Sequence, residues 1–116
     1  MAKTIMIVDD EPDIRNTTRT LLEINGFKVI LAVNADDALN KLKSQRPDLI
    51  LLDIMMPGTT VREFIHKVTD IKIAFFSVVK TTSAEKEKLM QAPNIVGYIQ
   101  KPYDVDNLVK KIKAWI

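Results

Sequence analysis

The sequence predicts an α/β protein, a single domain of 116 residues built as a doubly wound, five-stranded parallel sheet with strand order 2-1-3-4-5. Two observations carry this. Short apolar runs of strand length alternate five times with segments whose apolar residues recur at helical spacing, and their short connections imply right-handed crossovers with helices on both faces of the sheet. Polar residues suited to chemistry also stand where apolar runs stop: Asp9 and Asp10 after the first strand, Asp53 after the third, Ser77 after the fourth, Lys101 after the fifth. In the order 2-1-3-4-5 those four strands are neighbours, so their carboxyl ends converge where ligands bind in open sheets.

Residues 5–8 form the first strand, and Pro12 then fits the first turn of a helix with Ile14, Thr17, Thr18, Leu21 and Leu22 inward. Asn25 and Gly26 stop that helix. Residues 27–32 form the second strand, and Asn34 caps a helix that buries Ala35, Ala38, Leu39 and Leu42. Leu49 to Leu52, an unbroken apolar run that reads as a strand buried on both faces, ends on Asp53. A loop through Pro57 and Gly58 leads to the capping box Thr60-x-x-Glu63 and the stripe Val61, Phe64, Ile65, Val68. The fourth strand covers 71–76, and Thr82-x-x-Glu85 opens a more charged, weakly amphipathic helix over 82–91. The fifth strand covers 95–99. Asp104 caps the last helix, which turns Val105, Leu108, Val109, Ile112 and Trp115 inward.

Composition narrows the function. With no cysteine, a disulfide framework and a thiolate metal site are both excluded. No apolar run approaches the roughly 20 residues that span a bilayer, and the amino terminus carries no signal-like segment, so the expectation is a cytoplasmic protein without a membrane partner. The net charge of +2 reflects nearly balanced acids and bases, and Lys110, Lys111 and Lys113 read as the wet face of the last helix rather than a nucleic-acid contact. His66, the one histidine, lies on the third helix away from the converging ends and reads as scaffold.

The converging set has a definite chemistry. Two carboxylates about 4 Å apart repel by roughly 4 kcal/mol at an effective dielectric of 20, and a third at the same rim adds to it, so the cluster calls for a divalent cation. With oxygen ligands only, a hard ion such as Mg²⁺ is favoured. A lysine and a hydroxyl facing that ion suit phosphoryl oxygens, and a carboxylate between them is a nucleophile able to form an acyl phosphate. Asp53 is that carboxylate.

At these residues the chain resembles the receiver domains of two-component response regulators, whose fold is flavodoxin-like. The likeness rests on IVDDE at 7–11, LLDIMMPG at 51–58, the hydroxyl at Ser77 and GYIQKP at 97–102, in this order and spacing across essentially the whole chain. The resemblance implies that Asp53 accepts a phosphoryl group from the phosphohistidine of a histidine kinase or phosphotransfer protein. Mg²⁺, with Mn²⁺ as a substitute, would be held by Asp10, Asp53 and the backbone carbonyl of Met55, with Asp9 nearby through water. Ser77 and Lys101 would contact the phosphoryl oxygens, and a cis peptide before Pro102 would aim Lys101 inward. Switching would draw Ser77 toward the phosphoryl group and let Tyr98 rotate, changing a face that binds a downstream effector. The protein would then be a stoichiometric acceptor and not a turnover enzyme. A homodimer is compatible with this.

Some positions depart from the family pattern. Val78 stands where receivers have Ala or Gly, which narrows the approach to Asp53; Ser77 replaces the commoner Thr; Thr59, Thr60 and Val61 replace a Gly-bearing entry to the third helix; and the stretch 80–94 is short. Among other functional classes, a dinucleotide-binding enzyme is rejected, because Asp9-Asp10-Glu11 occupies the place of its Gly-rich turn. An aspartyl phosphatase usually places its nucleophile after the first strand and closes a cap over its substrate, for which this chain leaves little room. The alternatives that stand are a receiver cut from a larger, DNA-binding regulator and a module that signals by contact without phosphorylation. The end at Ile116 without a linker favours a stand-alone protein.

Overall fold

The apolar runs become strands in the predicted order. β1 (Thr4–Val8), β2 (Lys28–Ala32), β3 (Leu49–Leu52), β4 (Lys72–Ser77) and β5 (Ile95–Gln100) form one sheet ordered β2-β1-β3-β4-β5, with every pairing parallel. The computed structural model describes residues 2–53, 61–77, 91–100 and 104–116, with the side chains of residues 61, 62, 77 and 100 outside that set. The helix predicted over 82–91 lies outside the described residues but for its last position.

All four residues of β3 are fully buried, as its unbroken apolar run requires of a strand covered on both faces. Alternation along the strands divides the core in two. Met6, Val8, Ile50, Leu52, Ile73 and Phe75 pack on one side with α2 (Ala35–Lys41) and α3 (Val61–Lys67). Ile5, Ile7, Leu49, Leu51, Ala74 and Phe76 pack on the other with α1 (Pro12–Ile24) and α4 (Val105–Trp115).

The helix ends follow local chemistry. Pro12 opens α1, whose buried line is Thr18 and Leu22; Thr17, expected inward, is exposed, because the line i, i+4, i+8 from Ile14 leaves it on the flank. Gly26 ends α1 with φ +90°, a left-handed conformation suited to glycine, and Phe27 N–H returns to the Leu22 carbonyl at 3.0 Å. In α2, Asn34 Oδ1 accepts from Asp37 N–H at 2.8 Å while the Asp37 carboxylate accepts from Val33 N–H at 3.0 Å, a reciprocal cap. Asp104 caps α4 by accepting from Asp106 N–H at 3.1 Å. The buried Asn94 donates to the Val68 carbonyl at 2.6 Å and so satisfies the chain leaving α3.

One irregularity matters for the site. Ile73 pairs with Ile95 but Ala74 pairs with Gly97, so β5 carries one extra residue. Ile95 and Tyr98 therefore both face the α2 and α3 side, whereas strict alternation would have separated them.

Candidate functional site

Register brings the acids together. Val8 and Leu52 are partners in the β1–β3 ladder, so Asp9 and Asp53 leave adjacent strands side by side. The backbone extends the ladder past its last pair: Asp53 N–H donates to the Val8 carbonyl at 3.0 Å, and Asp9 N–H donates to the Ala32 carbonyl at 3.2 Å. Asp10 follows on the same turn. One ligand oxygen from each of Asp9, Asp10 and Asp53 lies within 4.8 Å of the other two.

Two of the three acids are out of water. Asp9 is fully buried, Asp53 is 5% exposed, and Asp10 reaches solvent. At the spacing found, charges on Asp9 and Asp53 would repel by about 3 to 4 kcal/mol at an effective dielectric of 20, and burial denies them the screening that Asp10 retains. Asp9 Oδ1 meets part of its need by accepting from Glu11 N–H at 3.0 Å. A donor set made only of carboxylate oxygens this close fits a hard divalent cation, and the exposed Asp10 keeps one side open to the waters that Mg²⁺ retains.

Two features near this pocket were not singled out from the sequence. Arg15, one turn into α1, donates from Nη1 to the Asp9 carbonyl at 2.8 Å. Asp37, the α2 capping acid, is held below the ordinary carboxylate range, first by the Val33 N–H that it accepts and then by Lys41 and the charge of Arg15. The signal for Asp37 was its place three residues after Asn34, whereas a contact with a backbone carbonyl, as Arg15 makes, leaves none.

Tyr98 lies half-buried on β5, with its ring 6.4 Å from that of Phe75 and tilted by 59°. Burial pushes its phenol above the ordinary range, and the negative charge of Asp53 pushes it further in the same direction. Ser77 closes β4 as the register partner of Gln100, the residue before Lys101. The Ser77 side chain, Met55, Lys101, Pro102 and Val78 lie outside the described residues.

The response regulator receiver domain, as a family, matches residues 5–113. Among curated relatives, the phosphate regulon transcriptional regulatory protein PhoB of Escherichia coli is 38% identical over 98% of this chain and 52% of its own length. The chain spans about half the length of the first curated relatives it matches. Among solved structures, a CheY-like response regulator receiver domain protein from Methanospirillum hungatei is 28% identical with a TM-score of 0.88, covering 98% of this chain and 93% of that one. The response regulator protein TrrA from Thermotoga maritima, solved in complex with Mg(2+)-BeF, is 31% identical with a TM-score of 0.82, covering 98% of this chain and 99% of that one.

Proposed function

We propose that this chain, which belongs to the response regulator receiver domain family and so has a phosphoacceptor role in two-component signalling, takes its phosphoryl group on Asp53. The observation that carries this is the meeting of Asp9, Asp10 and Asp53 at the ends of adjacent central strands. Asp53 is the member that follows β3, between the acids that follow β1 and the end of β4.

The donor is the phosphohistidine of a histidine kinase or phosphotransfer protein. The P–N bond breaks, an O–P bond forms to the Asp53 carboxylate, and the leaving imidazole regains its proton from solvent. Asp10, Asp53 and the Met55 carbonyl would hold Mg²⁺, with Asp9 nearby through water and Mn²⁺ as a substitute. Bound there, the ion offsets charge on the carboxylates and the phosphoryl oxygens. Ser77 and Lys101 take the remaining phosphoryl oxygens, and a cis peptide before Pro102 directs Lys101 inward.

The added charge draws Ser77 in and lets Tyr98 move, and the face around β5 and α4 binds an effector protein or domain, with self-association through that face as a second outcome. We read the chain as a stoichiometric acceptor acting in the cytoplasm. Among the described residues no helix is long and apolar enough to cross a membrane. Coverage of only 52% of the PhoB relatives supports a second reading, in which this receiver governs a further, DNA-binding segment.

Incubation with a small acyl phosphate and Mg²⁺ tests the proposal. Wild type is expected to gain the mass of one phosphoryl group and Asp53→Asn none; equal labelling of the two would refute it.

A further inference from the structure

We propose that Arg15 is a positioning residue for the acidic pocket: its guanidinium holds the Asp9 peptide so that the carboxylates of Asp9 and Asp10 face Asp53 before any cation arrives. The inference rests on the reading of these three acids as a cation site.

Asp9 is the last point at which the β1 ladder can direct the chain, since its N–H still reaches the Ala32 carbonyl at 3.2 Å. Its carbonyl is taken by Arg15 Nη1 at 2.8 Å. The orientation of this peptide sets where the backbone of Asp10 leaves, and with it the direction of the Asp10 side chain. Arg15 is fixed in turn, because its own N–H donates to the Glu11 carbonyl at 3.0 Å and Pro12 sets the start of the helix that carries it. Glu11 N–H donates to Asp9 Oδ1 at 3.0 Å, so the turn between β1 and α1 is clipped from both ends. Without the guanidinium, the carbonyl of a fully buried residue loses a charge-assisted hydrogen bond, and one of the restraints on this peptide goes with it.

Charge and position predict opposite outcomes. A guanidinium near the acids repels an incoming cation. If charge were its main effect, removing Arg15 would tighten cation binding. If position is its main effect, removing it weakens binding, because three carboxylates that must be gathered first bind less well than three already gathered.

The test is a Mg²⁺ titration of the full chain, followed by backbone amide resonances at Asp9, Asp10 and Asp53, for wild type, Arg15→Met and Arg15→Lys. Met keeps the aliphatic stem without charge or donor; Lys keeps a charge and a donor at nearly the same reach. Arg15→Met is expected to weaken Mg²⁺ binding about tenfold and to shift the metal-free amides of Asp9, Asp10 and Glu11 while leaving those of α4 in place. Arg15→Lys is expected to recover most of the loss. Binding by Arg15→Met as tight as wild type or tighter, or an equal loss in Met and Lys, overturns the proposal. A wild type whose three amides ignore Mg²⁺ overturns the cation site itself and this inference with it, whereas a wild type that responds beside an unchanged Met variant removes only the role of Arg15.

Discussion

The middle of the sheet and its β5 edge are built on different principles. At the middle, β1 and β3 bury Ile5 to Val8 and Leu49 to Leu52 from both faces, and the ladder runs past its last pair to set Asp9 beside Asp53. At the edge, β5 leaves Val96, Gly97 and Tyr98 half-buried, carries an extra residue, and leans on one aromatic ring from α4. The middle can hold Asp9 and Asp53 at fixed spacing because the strands that deliver them are fully buried and close-packed. The edge has partners on fewer sides, so a change of charge at Asp53 is answered more cheaply there. The proposed function assigns chemistry to the first region and response to the second.

The largest effect that would break this division is at the acceptor. Asp53→Asn should abolish phosphorylation while leaving the fold intact, measured by mass and by thermal melting side by side. Next is the core contrast: Leu51→Ala should cost about 2–5 kcal/mol in denaturant unfolding, and Val96→Ala at the edge less than about 1 kcal/mol. Equal costs would mean that the two regions are packed alike.

A smaller effect sharpens the edge. A Cβ added at Gly97 would clash with the Trp115 ring. Gly97→Ala should therefore cost about 1–3 kcal/mol through overpacking, and much less in a Trp115→Leu background, a coupling that a double-mutant cycle reads directly.

The smallest effect is electrostatic and links the regions. Tyr98 ionises above the ordinary value of 10.0 because of burial and then the charge of Asp53. Asp53→Asn removes the second cause, so the alkaline absorbance titration of Tyr98 should move down toward 10.0 without reaching it. A raised folded value means stability that is complete below the unfolded value and lost as pH rises through the folded one, so Tyr98→Phe should flatten the alkaline limb of unfolding. Asp37 has the opposite sign. Its lowered value gives stability present above 3.8 and lost as pH falls through the folded value, and Asp37→Asn should reduce the acid dependence accordingly.

What was legible in the sequence follows the same division. The middle of the sheet was readable because an unbroken run such as 49–52 has one physical explanation, and an acid at its end then has one place to be. Asn34, Gly26 and Asp104 were readable because caps and left-handed turns depend on neighbours a few residues away. The β5 bulge was not, since Val96 and Gly97 look like ordinary strand residues and the extra residue exists only relative to β4. Nor was the hold of Arg15 on Asp9, because a helix-surface arginine is usually solvated and its partner is a carbonyl that has no letter of its own.

The claim beneath all of this is that one carboxylate, at the end of the most buried strand, is the acceptor. Trapping the acyl phosphate with borohydride reduces the modified aspartate to homoserine, and peptide mass mapping then reads its position. Homoserine at position 53 alone is the predicted result. Homoserine at position 9 or 10, or none in a protein that has gained a phosphoryl group, would contradict it.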